Sequence, residues 1–167
     1  MLKEGDNAPE FSLAGIDEEG VEREFRLSSL LSGPLENGRD IALYFYPKDD
    51  TPGCTVEACD FRDNFSRAAA SALVLGVSAD SIASHLKFKA RHGLNFPLLS
   101  DPDHKVMRKY GAWGQKKTYG KTVTGIIRTT CLIAPDGTIA RIWRGVKVKG
   151  HVDAVLETLS ARGRGRD

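Results

Sequence analysis

Cysteine is scarce in this chain: 3 in 167 residues, at Cys54, Cys59 and Cys131, with no C-x-x-C pair among them. So few thiols exclude a disulfide-stapled scaffold, and the missing C-x-x-C argues against a general disulfide oxidoreductase. The histidines His85, His92, His104 and His151 show no ligand-pair or triad spacing. With three cysteines they make no four-ligand metal set, so no metal is expected, and each histidine is expected at the surface or at a helix end. A dominant charge sign is missing too. Lys+Arg 24 against Asp+Glu 22 gives +2, a near balance that provides no field toward nucleic acid or an anionic membrane. Long hydrophobic runs are absent. The longest weakly apolar stretch, residues 68–79, is broken by Ser71, Gly76 and Ser78 and is far shorter than a membrane span. The charged opening Met1-Leu2-Lys3-Glu4-Gly5-Asp6 has no apolar core of a signal segment. The expectation is a cytoplasmic protein with neither nucleic-acid nor membrane partners. No repeat or low-complexity linker divides the chain, so one domain over residues 1–161 is expected, large enough for its own core. Residues 162–167, Arg-Gly-Arg-Gly-Arg-Asp, read as a flexible basic tail.

What is present is an alternation of apolar runs and helical spacing. Strands are expected at residues 41–46, 73–77 and 96–99, and helices at 54–70, 82–91 and 105–110. This βαβ order implies right-handed crossovers and a sheet covered by helices on both faces. Short apolar runs around Asp17-Glu18-Glu19-Gly20 predict an N-terminal hairpin, and Pro135-Asp136-Gly137 predicts an antiparallel hairpin between residues 129–134 and 138–143. A last helix is expected over residues 150–161. The stretch from Gly111 through Gly120 reads as a loop able to line a pocket, and Trp113 and Trp143 read as packing groups.

Cys54 falls where a strand turns into a helix. In Pro47-Lys48-Asp49-Asp50-Thr51-Pro52-Gly53-Cys54, Thr51 suits the N-cap, Pro52 suits N1, and the thiol then sits at N3. Unpaired N–H groups and the positive end of the helix dipole favour thiolate over thiol there. Cys54, Ala58, Phe61, Phe65, Ala68 and Ala72 share one helical stripe, which places the sulfur in a pocket, whereas Cys59 is rotated by about 140° and leaves by another face. The competing reading treats Cys54 and Cys59 as small buried hydrophobes. The helix position favours a functional thiol. Arg128 opens an apolar strand and reads either as a strand-end charge reaching solvent or as part of a site. Cys131 lies three residues beyond it and points to the opposite face, which makes it a buried structural thiol.

Pro47-x-x-x-Thr51-x-x-Cys54 resembles the motif of the peroxiredoxins, thiol peroxidases with a thioredoxin-like fold. The wider run from Tyr44-Phe45-Tyr46 to Cys59 is similar to the branch called bacterioferritin comigratory protein or peroxiredoxin Q, and the resemblance extends from Gly5-Asp6-x-Ala8-Pro9-x-Phe11 to the last helix. It implies an α/β, thioredoxin-like fold with a mixed central sheet, helices on both faces and an N-terminal hairpin. It also implies a peroxidatic Cys54, a resolving Cys59, Thr51 as the hydroxyl contacting peroxide and sulfur, Pro47 shielding the pocket, Arg128 completing the site, and backbone N–H groups of Gly53 and Cys54 binding substrate. Hydrogen peroxide and small organic hydroperoxides would be reduced through a Cys54 sulfenic acid and a Cys54–Cys59 disulfide. Thioredoxin or a glutaredoxin-type dithiol would recycle the enzyme, which would act as a monomer without metal or flavin. A cysteine at position 131, where the family often has a bulky apolar residue, leaves open which thiol resolves Cys54. A redox sensor on the same fold, oxidised without turnover, is the rival function.

Overall fold

A computed structural model describes residues 1–32, 39–64 and 72–164 of the chain. Strand β3 (Asp40–Phe45) is buried along its whole length, because its alternate residues enter two separate cores. Ile41, Leu43 and Phe45 face one core, while Ala42 and Tyr44 face the other. A strand covered on both sides needs apolar residues at every position, which explains the unbroken run in the sequence.

Around β3 the sheet has the order β2-β1-β5-β4-β3-β8-β9. Strands β4 (Ala72–Ser78) and β5 (Leu98–Ser100) continue parallel to β3. The hairpin of β1 (Ser12–Ile16) and β2 (Glu22–Arg26) adds antiparallel at one edge. On the other side β8 (Thr129–Ile133) pairs antiparallel with β3 and with β9 (Ile139–Arg144). Gly137 takes a φ of 88° in the β8–β9 turn, and Asp136 accepts hydrogen bonds from the N–H and hydroxyl of Thr138. The mixed sheet and its N-terminal hairpin match the sequence expectation.

Helices cover both faces. Leu27 of α1 (Leu27–Ser32) and Val106 and Met107 of α4 (Lys105–Lys109) pack on the Ile41–Leu43–Phe45 side. Ala58 and Phe61 of α2 (Pro52–Asp63), Phe88 of α3 (Ile82–His92) and Val152, Val155, Leu156 and Leu159 of α5 (His151–Arg164) pack on the other. Tyr44 seats α2 on the sheet: its ring stacks on Phe61 with centroids 4.7 Å apart. Gly76 makes room for that ring, since a Cβ there would lie 3.0 Å from the Tyr44 hydroxyl.

Three elements differ from the sequence reading. The stretch read as a loop from residue 111 holds a second, two-stranded sheet of β6 (Trp113–Thr118) and β7 (Lys121–Ile126), joined by Tyr119 and Gly120 at φ 52° and 78°. Both central turn residues take positive φ, and a Tyr-Gly pair is a weaker signal for such a turn than Asn-Gly. The last helix runs to Arg164, and Arg162 makes a two-point ion pair with buried Asp40 at 2.7 and 3.0 Å. Residues 162–164 therefore belong to a helix and not to a flexible tail. The predicted helix over 54–70 is seen as α2 ending at Asp63, and residues 65–71 and 165–167 lie outside the described part.

Candidate active site

The β3–α2 connection delivers Cys54 to the third position of α2, with Thr51 as the extended N-cap residue and Pro52 at the helix start. Only 2% of Cys54 is exposed. The first-turn N–H groups of Gly53 and Cys54 have no acceptor within the helix. Gly53 leaves space for a guanidinium: a Cβ there would meet Arg128 Nη2 at 3.4 Å and Val148 at 3.8 Å.

Arg128 sits in the turn before β8 and not within the strand, on the side of the sheet that carries α2. Its Nη2 donates to Cys54 Sγ at 3.3 Å, and its Nη1 donates to Glu57 Oε1 at 2.6 Å. One guanidinium thus bridges the thiol and a carboxyl. Glu57 is fully buried and its Oε2 has no partner among the described residues. Burial pushes its pKa up to about 7 against the opposing pull of Arg128. The carboxyl therefore exchanges its proton near neutrality while its neighbour keeps its charge.

Thr51 occupies the N-cap position that the sequence predicts, with no hydrogen bond from its side chain to α2; the hydroxyl donates to the Lys48 carbonyl at 2.7 Å. With its hydrogen directed away, the oxygen keeps its lone pairs free to accept from a bound molecule. Pro47 is half-buried two residues beyond the end of β3. Cys59 lies on the same unbroken helix as Cys54, and all three cysteines are free thiols. Cys131 belongs to the opposite core, and burial pushes its thiol up to about 12. The geometry therefore gathers Cys54, Gly53, Glu57 and Arg128, keeps Thr51 at the N-cap three residues before the thiol, leaves Cys59 a helical turn and a half along, and separates Cys131 by the sheet.

A family model described as the AhpC/TSA family matches residues 5–142. The chain belongs to the AhpC/TSA family. Among curated relatives, peroxiredoxin Bcp of Bacillus subtilis is 47% identical over 93% of both chains. Peroxiredoxin Bcp of Escherichia coli is 42% identical over 95% of this chain and 96% of that one. Of the solved structures, a cysteine-to-serine variant of PrxQ from Xylella fastidiosa superposes with a TM-score of 0.83 at 34% identity, covering 98% of both chains. A cysteine-to-serine variant of peroxiredoxin Q from Xanthomonas campestris gives 0.79 at 39% identity, covering 91% of this chain and 90% of that one. The fold of this AhpC/TSA chain is accordingly thioredoxin-like. No helix among the described residues is long and apolar enough to cross a membrane, and no cluster of three metal-ligating side chains occurs among them.

Sequence reasoning missed several residues that build this AhpC/TSA site. Glu57 carried a usable signal, a carboxylate three residues after Cys54 on the same helix face. His85 and His151 were expected at surfaces or helix ends, yet both are buried. His151 does begin α5, but its Nε2 lies 2.7 Å from the Thr130 hydroxyl. Burial, reinforced by Arg128, lowers its pKa to about 4, so it is neutral beside the guanidinium. His85 pairs with Asp49 in the interior. Histidine spacing along a chain says nothing about a partner 36 residues away.

Proposed function

We propose that this protein is a peroxiredoxin that reduces hydrogen peroxide and small organic hydroperoxides. The observation that carries the reading is Arg128 Nη2 at 3.3 Å from Cys54 Sγ at the start of α2. The guanidinium puts a fixed positive charge within hydrogen-bond reach of the sulfur, where attack on a peroxide oxygen would take place. The thiolate attacks one peroxide oxygen, the O–O bond breaks, and Cys54 becomes a sulfenic acid. The departing RO⁻ takes a proton to leave as an alcohol, or as water from hydrogen peroxide. Arg128 and the first-turn N–H groups stabilise the negative charge that develops on the oxygens. Thr51, with its hydrogen held by Lys48, accepts the hydroperoxide O–H and sets the direction of attack. Pro47 limits water at the mouth of the pocket.

In the second half of the cycle the Cys59 thiol displaces the sulfenic hydroxyl, forming a Cys54–Cys59 disulfide and releasing water. A dithiol donor such as thioredoxin or a glutaredoxin-type protein then exchanges with that disulfide and restores both thiols. Cys59 is the resolving thiol of choice because Cys131 lies on the other face of the sheet with its proton held by burial. The protein works as a cytoplasmic monomer in this reading. The bacterioferritin comigratory protein of Xanthomonas campestris, 40% identical over 90% of this chain, has alkyl peroxide reduction activity, which supports the substrate class.

The test is peroxide consumption coupled to reductant oxidation, with and without thioredoxin. Catalytic consumption that disappears in Cys54→Ser, with the fold retained by circular dichroism, is the expected result. Undiminished turnover by Cys54→Ser would refute the assignment, and stoichiometric oxidation without turnover under every dithiol tried would move the reading to a redox sensor.

A further inference from the structure

The loop carrying Pro47 and Thr51 has few residues to hold it in shape, and Asp50 within it takes a left-handed φ of 59°. A non-glycine residue in that conformation persists only where its surroundings fix it. The fixing groups come from α3 and the neighbouring strand ends. The Asp49 side chain, 2% exposed, accepts from the Tyr46 hydroxyl at 2.6 Å, the Ser84 hydroxyl at 2.8 Å and His85 Nδ1 at 2.7 Å. Its N–H donates to Asp80 Oδ2 at 2.8 Å. Asp50 is held in turn by His92 Nε2 at 2.9 Å.

His85 is fully buried, and its Nε2 lies 2.9 Å from the carbonyl oxygen of Leu99. A carbonyl only accepts, so Nε2 carries a hydrogen. One further proton then lies between Nδ1 and the Asp49 carboxyl, and the pair is net neutral whichever atom holds it. A net-neutral pair with all its hydrogen bonds made is the form in which two ionisable groups survive burial. It also has two-sided geometry: one ring edge grips β5, the other grips the loop.

We propose that Asp49 and His85 are positioning residues for peroxide, acting through the loop to set the Thr51 oxygen and Pro47 against the Cys54 sulfur. Asp49 lies two residues from both Pro47 and Thr51, so a shift of its carboxyl moves both. The sulfur itself is held in addition by the packing of α2 and by Arg128. Loss of the pair therefore removes peroxide alignment while leaving a reactive thiol. This inference rests on the peroxidase reading.

The test uses the full reduced chain with Asp49→Asn, His85→Gln, their double variant and Ser84→Ala. Modification of Cys54 is followed by mass spectrometry, once with hydrogen peroxide and once with iodoacetamide, a thiol reagent that needs no peroxide alignment. Misalignment of about an ångström lowers a reaction rate by about a hundredfold. The peroxide rate of each single variant should fall by about tenfold to a hundredfold, with alkylation within about twofold of wild type. The double variant should be no slower than the slower single. Equal loss of both rates, additive losses, or an unchanged peroxide rate in folded variants would overturn the proposal. If the Asp49 and His85 variants fail to fold, Ser84→Ala decides: it removes one donor to Asp49 and should slow peroxide alone, by about twofold for half a hydrogen bond's net contribution. An unaltered peroxide rate there overturns the proposal. A wild-type Cys54 that ignores peroxide refutes the peroxidase reading itself, which separates the two failures.

Discussion

Oxidation of the Cys54–Cys59 pair should unwind the start of α2. On a helix of radius about 2.3 Å, residues five apart are separated by about 7.5 Å along the axis and about 140° around it, which puts their Cα atoms about 8.7 Å apart. A disulfide needs about 4.4–6.8 Å and converging Cβ vectors. The two thiols share the unbroken helix Pro52–Asp63, so the bond forms only after the first turns open. Opening them breaks bonds such as Thr55 N–H to Thr51 carbonyl, 2.8 Å in the folded state. With about four such bonds at about 1 kcal/mol each, the oxidised segment loses about 4 kcal/mol of local protection. At 1.4 kcal/mol per factor of ten, amide exchange over residues 54–60 should accelerate by about a thousandfold. Hydrogen exchange with mass spectrometric readout, on reduced protein and on protein with a mass-confirmed Cys54–Cys59 disulfide, measures this directly. Equal protection in the two states would refute the geometric argument. Slower exchange after oxidation would refute it more strongly.

Arg128→Met keeps side-chain length but removes both donors, so the peroxide reaction of Cys54 should slow by about a hundredfold in stopped-flow. An unchanged rate would place the guanidinium outside the chemistry. Cys59→Ser should consume about one equivalent of peroxide and then stall with thioredoxin, accumulating sulfenic or further oxidised sulfur, whereas Cys131→Ala should turn over normally. Reversed behaviour of the two variants would exchange their roles. Burial pushes the Glu57 carboxyl up to about 7, well above its ordinary value near 4.5. The folded state therefore holds this proton more tightly than the unfolded one. Its stabilising share is complete below about pH 4.5 and is lost as pH rises to about 7, a loss of about 3 kcal/mol at the outside. Denaturant titrations across that range should show the decline in wild type and a flatter profile in Glu57→Gln. Parallel profiles would show that Glu57 is not the titrating group.

The strand run at 41–46 and the Thr51-Pro52-Gly53-Cys54 helix start were legible because local chemistry decides both: apolar continuity in one case, cap and N1 preferences in the other. Cys131 was legible through strand alternation alone. The β6–β7 hairpin was not, because Tyr119-Gly120 is an uncommon turn pair and most of its strand residues are half-exposed or exposed, leaving no clean period of two. Arg162 looked like a frayed end because its partner Asp40 lies 122 positions away. Thr51 takes the N-cap position its type suggests, while its hydroxyl bonds the Lys48 carbonyl, a partner that residue preferences do not reveal. Glu57, His85 and His151 share one cause: each is a polar group made tolerable in the interior by a partner distant in sequence. Pairwise chemistry across the fold leaves no periodic trace.

The placement of Cys131 makes the molecule its own calibration standard. Sealed in the core opposite Cys54, with no exposed surface, it should stay unmodified while the other two thiols pass through their oxidised forms. A peptide containing Cys131 therefore reports total protein in the same sample in which peptides of Cys54 and Cys59 report chemical state. Thiol counting should find at most two reactive groups in the native chain and three in denaturant. The ratio of the signals gives the fraction of working molecules without reference to an external sample.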